Sequence, residues 1–293
     1  MEMTITAKVI ADSISSEGIR LTTMELRYPR YVHSEFMTHR MFSRNASSSR
    51  AIPVERLIAD VVDDPAVPLY WGKNQKGMQA REELTGWSAE RAKAEWLRAR
   101  DQAVASAKQL ALYGAHKQIV NRILEPFAHI KVVVTATDWS NFFGLRRHED
   151  AEPTMQALAE AMWSAQQDSQ PTLIHDRHWH VPYLPELGNV ADPEQAKLAI
   201  KVSVARCARV SYKTHDDVIS ELEEDLKLYD RLLCANPLHA SPAEHQATPD
   251  QKQMWHPPFV AVSGQWQQPH LWGNLFGWKQ YRKTLAGECA RDR

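Results

Sequence analysis

The residues best suited to chemistry lie in one short polar stretch, residues 38–51. It holds three arginines and one histidine among serine, threonine and asparagine, and it contains no acidic residue. Arginine presents a planar fork of N–H donors that suits a phosphate group, and serine hydroxyls with free backbone amides add further donors. The stretch therefore predicts a phosphate cradle for a nucleotide. A solvated polar loop is the alternative, because charged clusters often only face water.

Two further groups of polar residues could serve the same ligand. Arg122 lies on a predicted helix that stops at Pro126, and Asn141 and Arg146 follow a valine-rich apolar run. One arginine can hold a phosphate through two hydrogen bonds while another reaches the edge of a planar base or flavin. An isolated arginine on a helix is usually solvated, so this hypothesis depends on all three groups meeting in one pocket.

The elements that must position these groups are a mixture of strands and helices. The residue spacing predicts strands over 3–11, 19–27 and 130–136, and helices over 31–38, from Pro53, 88–113, 116–124, 153–167 and 218–234. Residues 202–210 fit either a strand or a helix, and residues 63–87 fit a lid or an interface loop. Without repeats or low-complexity linkers, residues 1–293 are expected to form a single α+β domain.

Composition restricts the class of ligand. The chain has 293 residues, of which 43% are hydrophobic and 24% are charged, an ordinary balance for a globular protein. Its formal net charge is -1, so there is no global basic field for polymeric nucleic acid. The arginines must therefore act locally, which favours a small anionic ligand over a nucleic-acid groove.

The cysteines and the apolar runs indicate a cytoplasmic protein. Cys207, Cys234 and Cys289 are spaced like neither a disulfide framework nor a zinc site, which predicts a reducing compartment. No apolar run is long enough to cross a membrane, and the first residues lack the pattern of a signal peptide. Histidines alternate in residues 175–180, but with no fourth ligand in sight we expect a polar turn packed by Trp179 and no metal.

The polar stretch resembles the signature of the flavin-dependent thymidylate synthases. That signature reads Arg-His-Arg, seven residues, then Ser-x-Arg. His39, Arg40, Ser48 and Arg50 fall at its spacing, and Thr38 stands at the place of its first arginine. The helix that carries Arg122 and the segment from Asn141 to Arg146 resemble two further elements of the family, in the same order. The resemblance covers roughly residues 31–165.

This resemblance implies a fold, a reaction and an assembly. The fold would be α+β, with an antiparallel sheet packed against helices. The reaction would transfer one carbon from methylenetetrahydrofolate to C5 of dUMP, giving dTMP, with NADPH reducing a bound FAD. The protein would be a homotetramer with its active sites at subunit interfaces, and its partners would include neither polymeric nucleic acid nor a membrane.

The resemblance also assigns roles to single residues. Arg146 would contact the pyrimidine and, with Ser48, be catalytic. The nucleotide and its phosphate would be bound by Ser47, Ser48, Arg50 and Arg122, with Glu35 beside the base. The flavin would be contacted by His39, Arg40, Asn45 and Asn141. This route needs no protein nucleophile, because the hydride comes from the reduced cofactor, and none of the cysteines lies in a sequence typical of a nucleophile.

A fourth similarity stands in an unexpected place. Residues 208–212 and 240–245 resemble a segment that the family carries before its signature, where a serine and a histidine lie near the flavin. Here the segment follows the signature, so we predict a circular permutation in which residues 1–168 carry the signature and residues 169–293 return Ser211 and His245 to the flavin. An independent C-terminal extension is the alternative.

Several departures from the signature leave other functions open. Thr38 replaces an arginine, and Ala46 stands where the family often has an acid. Glu35 occupies a position that is usually glutamine, and a carboxylate can accept from a cytosine amino group, which suggests dCMP as an alternative substrate. The same flavin chemistry could instead hydroxymethylate a pyrimidine. The alternative outside the enzymes is a protein that binds a nucleotide but catalyses no reaction.

Overall fold

A five-stranded mixed sheet forms the centre of the computed structural model, which describes residues 5–188, 192–210, 221–233, 235, 238–253 and 264–289. Its strands are β1 (Thr6–Ser15), β2 (Arg20–Pro29), β3 (Ser43–Ala46), β4 (His129–Ala136) and β5 (Thr172–Ile174). They lie in the order β3-β4-β2-β1-β5, and β5 runs parallel to β1 while the other pairs are antiparallel. The predicted α+β class is therefore confirmed, but the sheet is not purely antiparallel.

Helices pack around this sheet. They are α1 (His33–Phe36), α2 (Val54–Asp63), α3 (Gly86–Leu112), α4 (Lys117–Val120), α5 (Ser140–Arg146), α6 (Pro153–Gln167), α7 (Pro193–Arg209) and α8 (Leu222–Leu233). Helix α6 begins at the predicted proline, where Glu152 accepts a hydrogen bond from the Met155 amide and caps the first turn. In the described part of the chain, no helix is long and apolar enough to cross a membrane.

The two faces of the sheet differ because side chains alternate along each strand. Met24 and Leu26 of β2 and Val132 and Val134 of β4 point to one face, where they form an apolar core with α6 and a group of phenylalanines. Thr23 and Thr135 are paired residues that point to the opposite face, where both are buried. That second face is covered by the C-terminal region rather than by solvent.

The C-terminal region adds two small sheets and a helical pair. Its strands are β6 (Ala247–Pro249), β7 (Lys252–Gln253), β8 (Gln265–Trp266) and β9 (Trp278–Gln280), with β6 paired to β9 and β7 paired to β8. Helices α7 and α8 share an apolar cluster that includes Ala205, Leu228 and Leu232. Residues 202–210 thus belong to helix α7, apart from its cap at Val210, and the alternative of a strand is wrong.

Short polar segments differ most from their predicted structure. Residues 43–46 were expected in a loop, but they form β3 because their backbone pairs with β4 and buries Ser43 and Asn45. The predicted helix over residues 31–38 shrinks to α1 after a 3₁₀ turn at Arg30–Val32. The helix predicted over 116–124 becomes α4 followed by a 3₁₀ helix at Asn121–Phe127, which contains Pro126.

Residues 63–87 form a largely irregular loop with a narrow two-stranded ribbon inside it. The Lys73 amide donates to the Glu82 carbonyl, and the Leu84 amide donates to the Trp71 carbonyl, both at 2.7 Å. The tip of the ribbon reaches the connection between α5 and α6, where Gln79 Nε2 donates to the Asp150 carbonyl at 2.8 Å. The loop therefore contacts the connection that leads into α6.

Candidate nucleotide and cofactor site

A tight turn at residues 37–39 begins the site, and an arginine from β3 holds it. Arg44 Nη1 donates to the carbonyl oxygens of Met37 and His39, each at 3.0 Å. The Thr38 hydroxyl donates to the Glu35 carbonyl at 2.7 Å, so the end of α1 and the turn are joined. These bonds fix the backbone between the short helix and β3. They also fix the backbone from which the His39 side chain projects.

His39 is buried against aromatic rings and is held neutral. Its ring stacks on Phe42 and meets the edge of Phe142 at a centroid distance of 4.9 Å. Burial lowers the pKa of His39, and the positive charges of Arg146 and Arg44 lower it further. Its Nε2 accepts a hydrogen bond from Arg146 Nε at 3.0 Å. The proton of the neutral ring must therefore lie on Nδ1.

Arg146, the last residue of α5, contacts two of the predicted site residues, His39 and Glu35, and also Thr38. Besides His39, its guanidinium reaches the Thr38 hydroxyl at 3.3 Å from Nη2 and the Glu35 carboxylate at 3.6 Å from Nη1. The Arg146 side chain is 22% exposed and that of Glu35 is 40% exposed, so the pair borders solvent. The structure thus brings Glu35, His39 and Arg146 together, and we call these three residues the base group.

A second acid lies behind the base group. The Glu152 carboxylate accepts from the Met155 amide at 2.8 Å and from the Thr154 hydroxyl at 3.0 Å. Burial raises the pKa of Glu152, and the negative charge of Glu35 raises it further. Glu152 was not among the predicted site residues, and its position before Pro153 signalled only a helix start.

The second half of the site is built on Glu125, which lies in the 3₁₀ helix. Its Oε1 accepts from the Ser49 hydroxyl and contacts Arg30 Nη2 and Arg122 Nη1, both at 3.2 Å. One carboxylate thereby fixes two guanidinium groups and one hydroxyl. Arg30 also donates to the Ser47 carbonyl at 3.2 Å. We call the group of Arg30, Ser47, Ser48, Arg50, Arg122 and Glu125 the cradle.

Asn121 holds the backbone at the end of the polar stretch. Its side chain is fully buried, and Nδ2 donates to the carbonyls of Ser49 at 2.7 Å and Ile52 at 2.9 Å. The Lys131 amide donates to the Ser47 hydroxyl at 3.1 Å, so that hydroxyl is already engaged with β4. Arg50 is exposed, and the Arg122 side chain is 54% exposed. Basic groups therefore face outward on a rigid support, as an anion site requires.

The remaining predicted residues lie in different surroundings. Arg40 and Asn141 are exposed on the turn and on α5. Asn45 is buried beneath β3, where its amide, in the orientation that satisfies both of its polar atoms, donates to the carbonyls of Arg44 at 3.0 Å and Ser241 at 3.3 Å. Ser211 lies outside the described residues. His245 is fully buried on the second face of the sheet.

His245 ends a buried chain of polar side chains. Its Nδ1 lies 2.8 Å from the Thr135 hydroxyl, which lies 2.7 Å from the Thr23 hydroxyl. His180 bridges the Thr23 hydroxyl at 2.7 Å and the Ser13 hydroxyl at 2.9 Å. Because Thr135 pairs with Ser43 at the start of β3, this layer extends under the polar stretch. Burial lowers the pKa of both histidines to about 3.

The sequence reasoning missed the residues that support the site. Arg44 lay within the polar stretch but occupies a position that the signature leaves free, and Arg30 and Glu125 lie outside it. Their roles depend on contacts between the 3₁₀ turn at Arg30–Val32, the 3₁₀ helix at Asn121–Phe127 and the polar stretch, which no local pattern indicates. The proximity of Glu125 to Arg122, three residues apart on one helix, was the one signal that could have indicated a shared ion pair.

Two solved structures resemble this fold. Both are of the UMP/dUMP methylase PolB from Streptomyces cacaoi, one bound with 5-Br dUMP and one with 5-Br UMP. The first has a TM-score of 0.44 and 15% identity, and covers 56% of this chain and 91% of its own. The second has a TM-score of 0.46 and 16% identity, and covers 56% of this chain and 89% of its own.

Comparison of the sequence with known families gives a firmer result. No curated protein sequence matches the chain. The thymidylate synthase complementing protein family matches it over residues 20–172, which include the base group, the cradle and most of the sheet. This segment is more than half of the chain and holds all three patches from which the resemblance was predicted. The chain therefore belongs to the thymidylate synthase complementing protein family.

Proposed function

We propose that this protein transfers a one-carbon unit from methylenetetrahydrofolate to C5 of a pyrimidine deoxynucleoside monophosphate, converting dUMP to dTMP. The observation that carries the proposal is that polar groups flank the edge strand β3, with the turn of the base group before it and the serines of the cradle after it. The cradle offers basic side chains on a rigid support, and the base group offers one guanidinium beside a neutral imidazole and a carboxylate. A nucleotide monophosphate needs both kinds of contact.

The cradle suits the phosphate. Arg30, Arg50 and Arg122 supply three positive charges, while Glu125 supplies one negative charge that holds two of them in place. The exposed guanidinium of Arg122 can donate two parallel hydrogen bonds to phosphate oxygens. The Ser48 hydroxyl adds a short neutral donor next to Arg50. The phosphate would therefore bind to a site that is already organised and would order few side chains.

The base group suits the pyrimidine. Arg146 can donate to a ring carbonyl, and its positive charge can stabilise the enolate-like charge that develops when C5 becomes nucleophilic. Neutral His39 accepts from Arg146 Nε and thereby fixes the orientation of the guanidinium. The bonds from Arg44 to the Met37 and His39 carbonyls hold the turn that carries His39. Positioning and charge stabilisation are the work that the protein's own residues perform here.

FAD is the cofactor that this donor set fits, with NADPH and methylenetetrahydrofolate as co-substrates. Exposed Arg40 and Asn141 present donors to a planar, anionic cofactor beside His39, and Asn45, which is buried in β3, completes the proposed set. When bound, the flavin supplies the hydride that completes the methyl group. Burial raises the pKa of the Cys207 thiol, which agrees with a route that uses no thiolate at that position.

The permutation and the tetramer are parts of the same proposal. Residues 240–246 return to the signature strand, since the Asn45 amide reaches the Ser241 carbonyl and Gln280 reaches the Glu244 carbonyl at 3.0 Å. This placement supports a permuted segment that packs against the signature strand, with His245 buried on the second face of the sheet; Ser211 lies outside the described residues. A homotetramer would cover the exposed apolar side chains beside the cradle, among them Leu112, which is 80% exposed, and Ile119, which is 58% exposed.

A specific observation favours dCMP as the second candidate substrate. Glu35 lies 3.6 Å from Arg146 and is partly exposed, so one carboxylate oxygen can accept from an exocyclic amino group at the base. Uracil offers no such donor at that position. Replacing Glu35 by glutamine would restore the residue that is usual in the family and is expected to favour dUMP. Hydroxymethylation of either base is a further outcome of the same chemistry.

One set of reactions separates these candidates. The purified protein is incubated with dUMP or dCMP together with methylenetetrahydrofolate, FAD and NADPH, and the nucleotides are identified by mass spectrometry. Formation of dTMP supports the main proposal, whereas a product from dCMP alone or a hydroxymethylated base supports an alternative. If neither nucleotide changes, flavin absorption of the protein and binding of dUMP distinguish an inactive nucleotide-binding protein from a wrong proposal.

A further inference from the structure

Residues 272–280 of the C-terminal region contact the polar stretch, and we call this segment the strap. Asn274 makes the first contact: its Nδ2 donates to the Met41 carbonyl at 2.8 Å, and its Oδ1 accepts from the Ser43 hydroxyl at 3.1 Å. Met41 directly follows Arg40, and Ser43 begins β3. One side chain therefore bonds both ends of the short connection between the turn and the strand.

Gln280 makes the second contact from the other end of the strap. It is 2% exposed, and its Nε2 donates to the Ser43 hydroxyl at 3.2 Å and to the Glu244 carbonyl at 3.0 Å. The same nitrogen lies 3.0 Å from Asn274 Oδ1. The Ser43 hydroxyl thus donates to Asn274 and accepts from Gln280, so its one donor and one of its two acceptor sites are used by these residues.

The strap is itself held rigidly. Leu275 and Trp278 are fully buried in a cluster with Leu21 and Ala247, which anchors the residues that follow Asn274 to the sheet and to β6. Gly273, just before Asn274, has φ +60°, and a Cβ at this position would lie 2.6 Å from Gln280 Oε1. The backbone therefore passes close to Gln280 through a conformation that favours glycine. A rigid strap can transmit its geometry to the residues that it bonds.

From these contacts we infer that Asn274 and Gln280 are positioning residues that fix the Met41–Ser43 connection and so set the orientation of Arg40 and His39. Neither residue lies in the segment that matches the family, residues 20–172. His39 is coupled to this connection because its ring stacks on Phe42, the residue between the two bonded positions. The expected effect on nucleotide binding rests on the proposed function. The ordering of the Met41–Ser43 connection does not depend on that function.

Ordering of the connection is measured first, without any ligand. Hydrogen exchange with mass spectrometry is recorded on the full chain for wild type, Asn274→Ala and Asn274→Asp, with Gln253→Ala as the matched control. Gln253 is an exposed amide residue on β7 of the same C-terminal region. Loss of the Met41 bond is expected to speed exchange of the amides in residues 38–43 by about tenfold in both Asn274 variants. The control is expected to exchange like wild type.

Binding of dUMP is then measured by calorimetry under conditions where circular dichroism shows each variant to be folded. The Asn274 variants are expected to raise the Kd for dUMP by about tenfold, and Gln253→Ala to leave it unchanged. A purely structural role would lower the unfolding midpoint without changing the Kd of the folded protein.

The two readouts separate the inference from the proposed function. If wild type binds no dUMP, the proposed function fails, while the exchange data still decide whether the strap orders the connection. Unchanged exchange in residues 38–43 of both Asn274 variants overturns the inference. If Asn274→Ala does not fold, Asn274→Asp carries the test, because its carboxylate still accepts from Ser43 but no longer donates to Met41.

Discussion

Acid should destabilise this protein through its two buried histidines. His180 and His245 are completely buried and lie in one chain of hydroxyl groups on the second face of the sheet. The pKa of each is lowered to about 3, chiefly by burial; the neighbouring His180 adds to the lowering at His245, and Asp12 opposes part of it at His180. The unfolded chain binds these protons near pH 6.5. Stability is therefore fully present above pH 6.5 and is lost as the pH falls toward 3.

The size of this loss follows from the separation of the pKa values. At pH 5, about 1.5 units below the ordinary pKa of histidine, these residues are protonated in the unfolded chain but stay neutral when buried. This difference lowers the free energy of unfolding by about 2 kcal/mol for each buried ring. The pair together would remove about 4 kcal/mol, a large part of the stability of an ordinary domain. Solvent screening does not reduce this figure, because neither ring is exposed.

The assay is urea unfolding at pH 7.5 and pH 5 for wild type and for the double variant His180→Asn, His245→Asn. Wild type should lose about 4 kcal/mol more than the double variant between the two pH values, because asparagine does not titrate. His270→Asn is the matched control, since His270 is exposed, and it should lose as much as wild type. Equal losses in wild type and the double variant would refute the reasoning.

Three further variants test the site and the strap. Arg146→Lys should lower turnover by about 100-fold, because lysine cannot reproduce the bonds to His39 and Thr38, and steady-state kinetics measures this. Arg122→Ala should weaken dUMP binding by about tenfold in calorimetry, while the matched variant Arg98→Ala on the exposed side of α3 should bind like wild type. Gly273→Ala should lower the free energy of unfolding by about 1–3 kcal/mol in urea, because its φ is +60° and its Cβ would meet Gln280.

Spacing alone predicted the residues whose chemistry is visible in their type. The signature placed His39 and Arg40 on one turn, and the structure brings His39 into contact with Arg146, as a shared pocket requires. Glu35 lies 3.6 Å from the same guanidinium, whereas the difference at this position had suggested only a contact with a cytosine amino group, which stays a prediction. Long periodic elements such as α6 were also predictable, because a proline start and an apolar stripe are local signals.

The supporting contacts could not be predicted, because they join residues far apart in the chain. Asn274 bonds Met41 across more than two hundred residues, and Glu125 contacts side chains from the 3₁₀ turn after β2 and from the polar stretch. Strand β3 was missed for the same reason, since its polar residues become a strand only when β4 supplies the backbone partners. The 3₁₀ helix at Asn121–Phe127 satisfies contacts with the polar stretch that an uninterrupted α-helix pattern does not reveal.

Isotope transfer tests the central proposal most directly. The protein is supplied with dUMP, FAD, NADPH and methylenetetrahydrofolate labelled in its one-carbon unit, and the nucleotide product is analysed by mass spectrometry. We expect dTMP that carries the label in its C5 methyl group, with a greatly reduced yield in Arg146→Lys. A folded protein that binds flavin and dUMP but leaves the label in the folate, with neither dUMP nor dCMP modified, would contradict it.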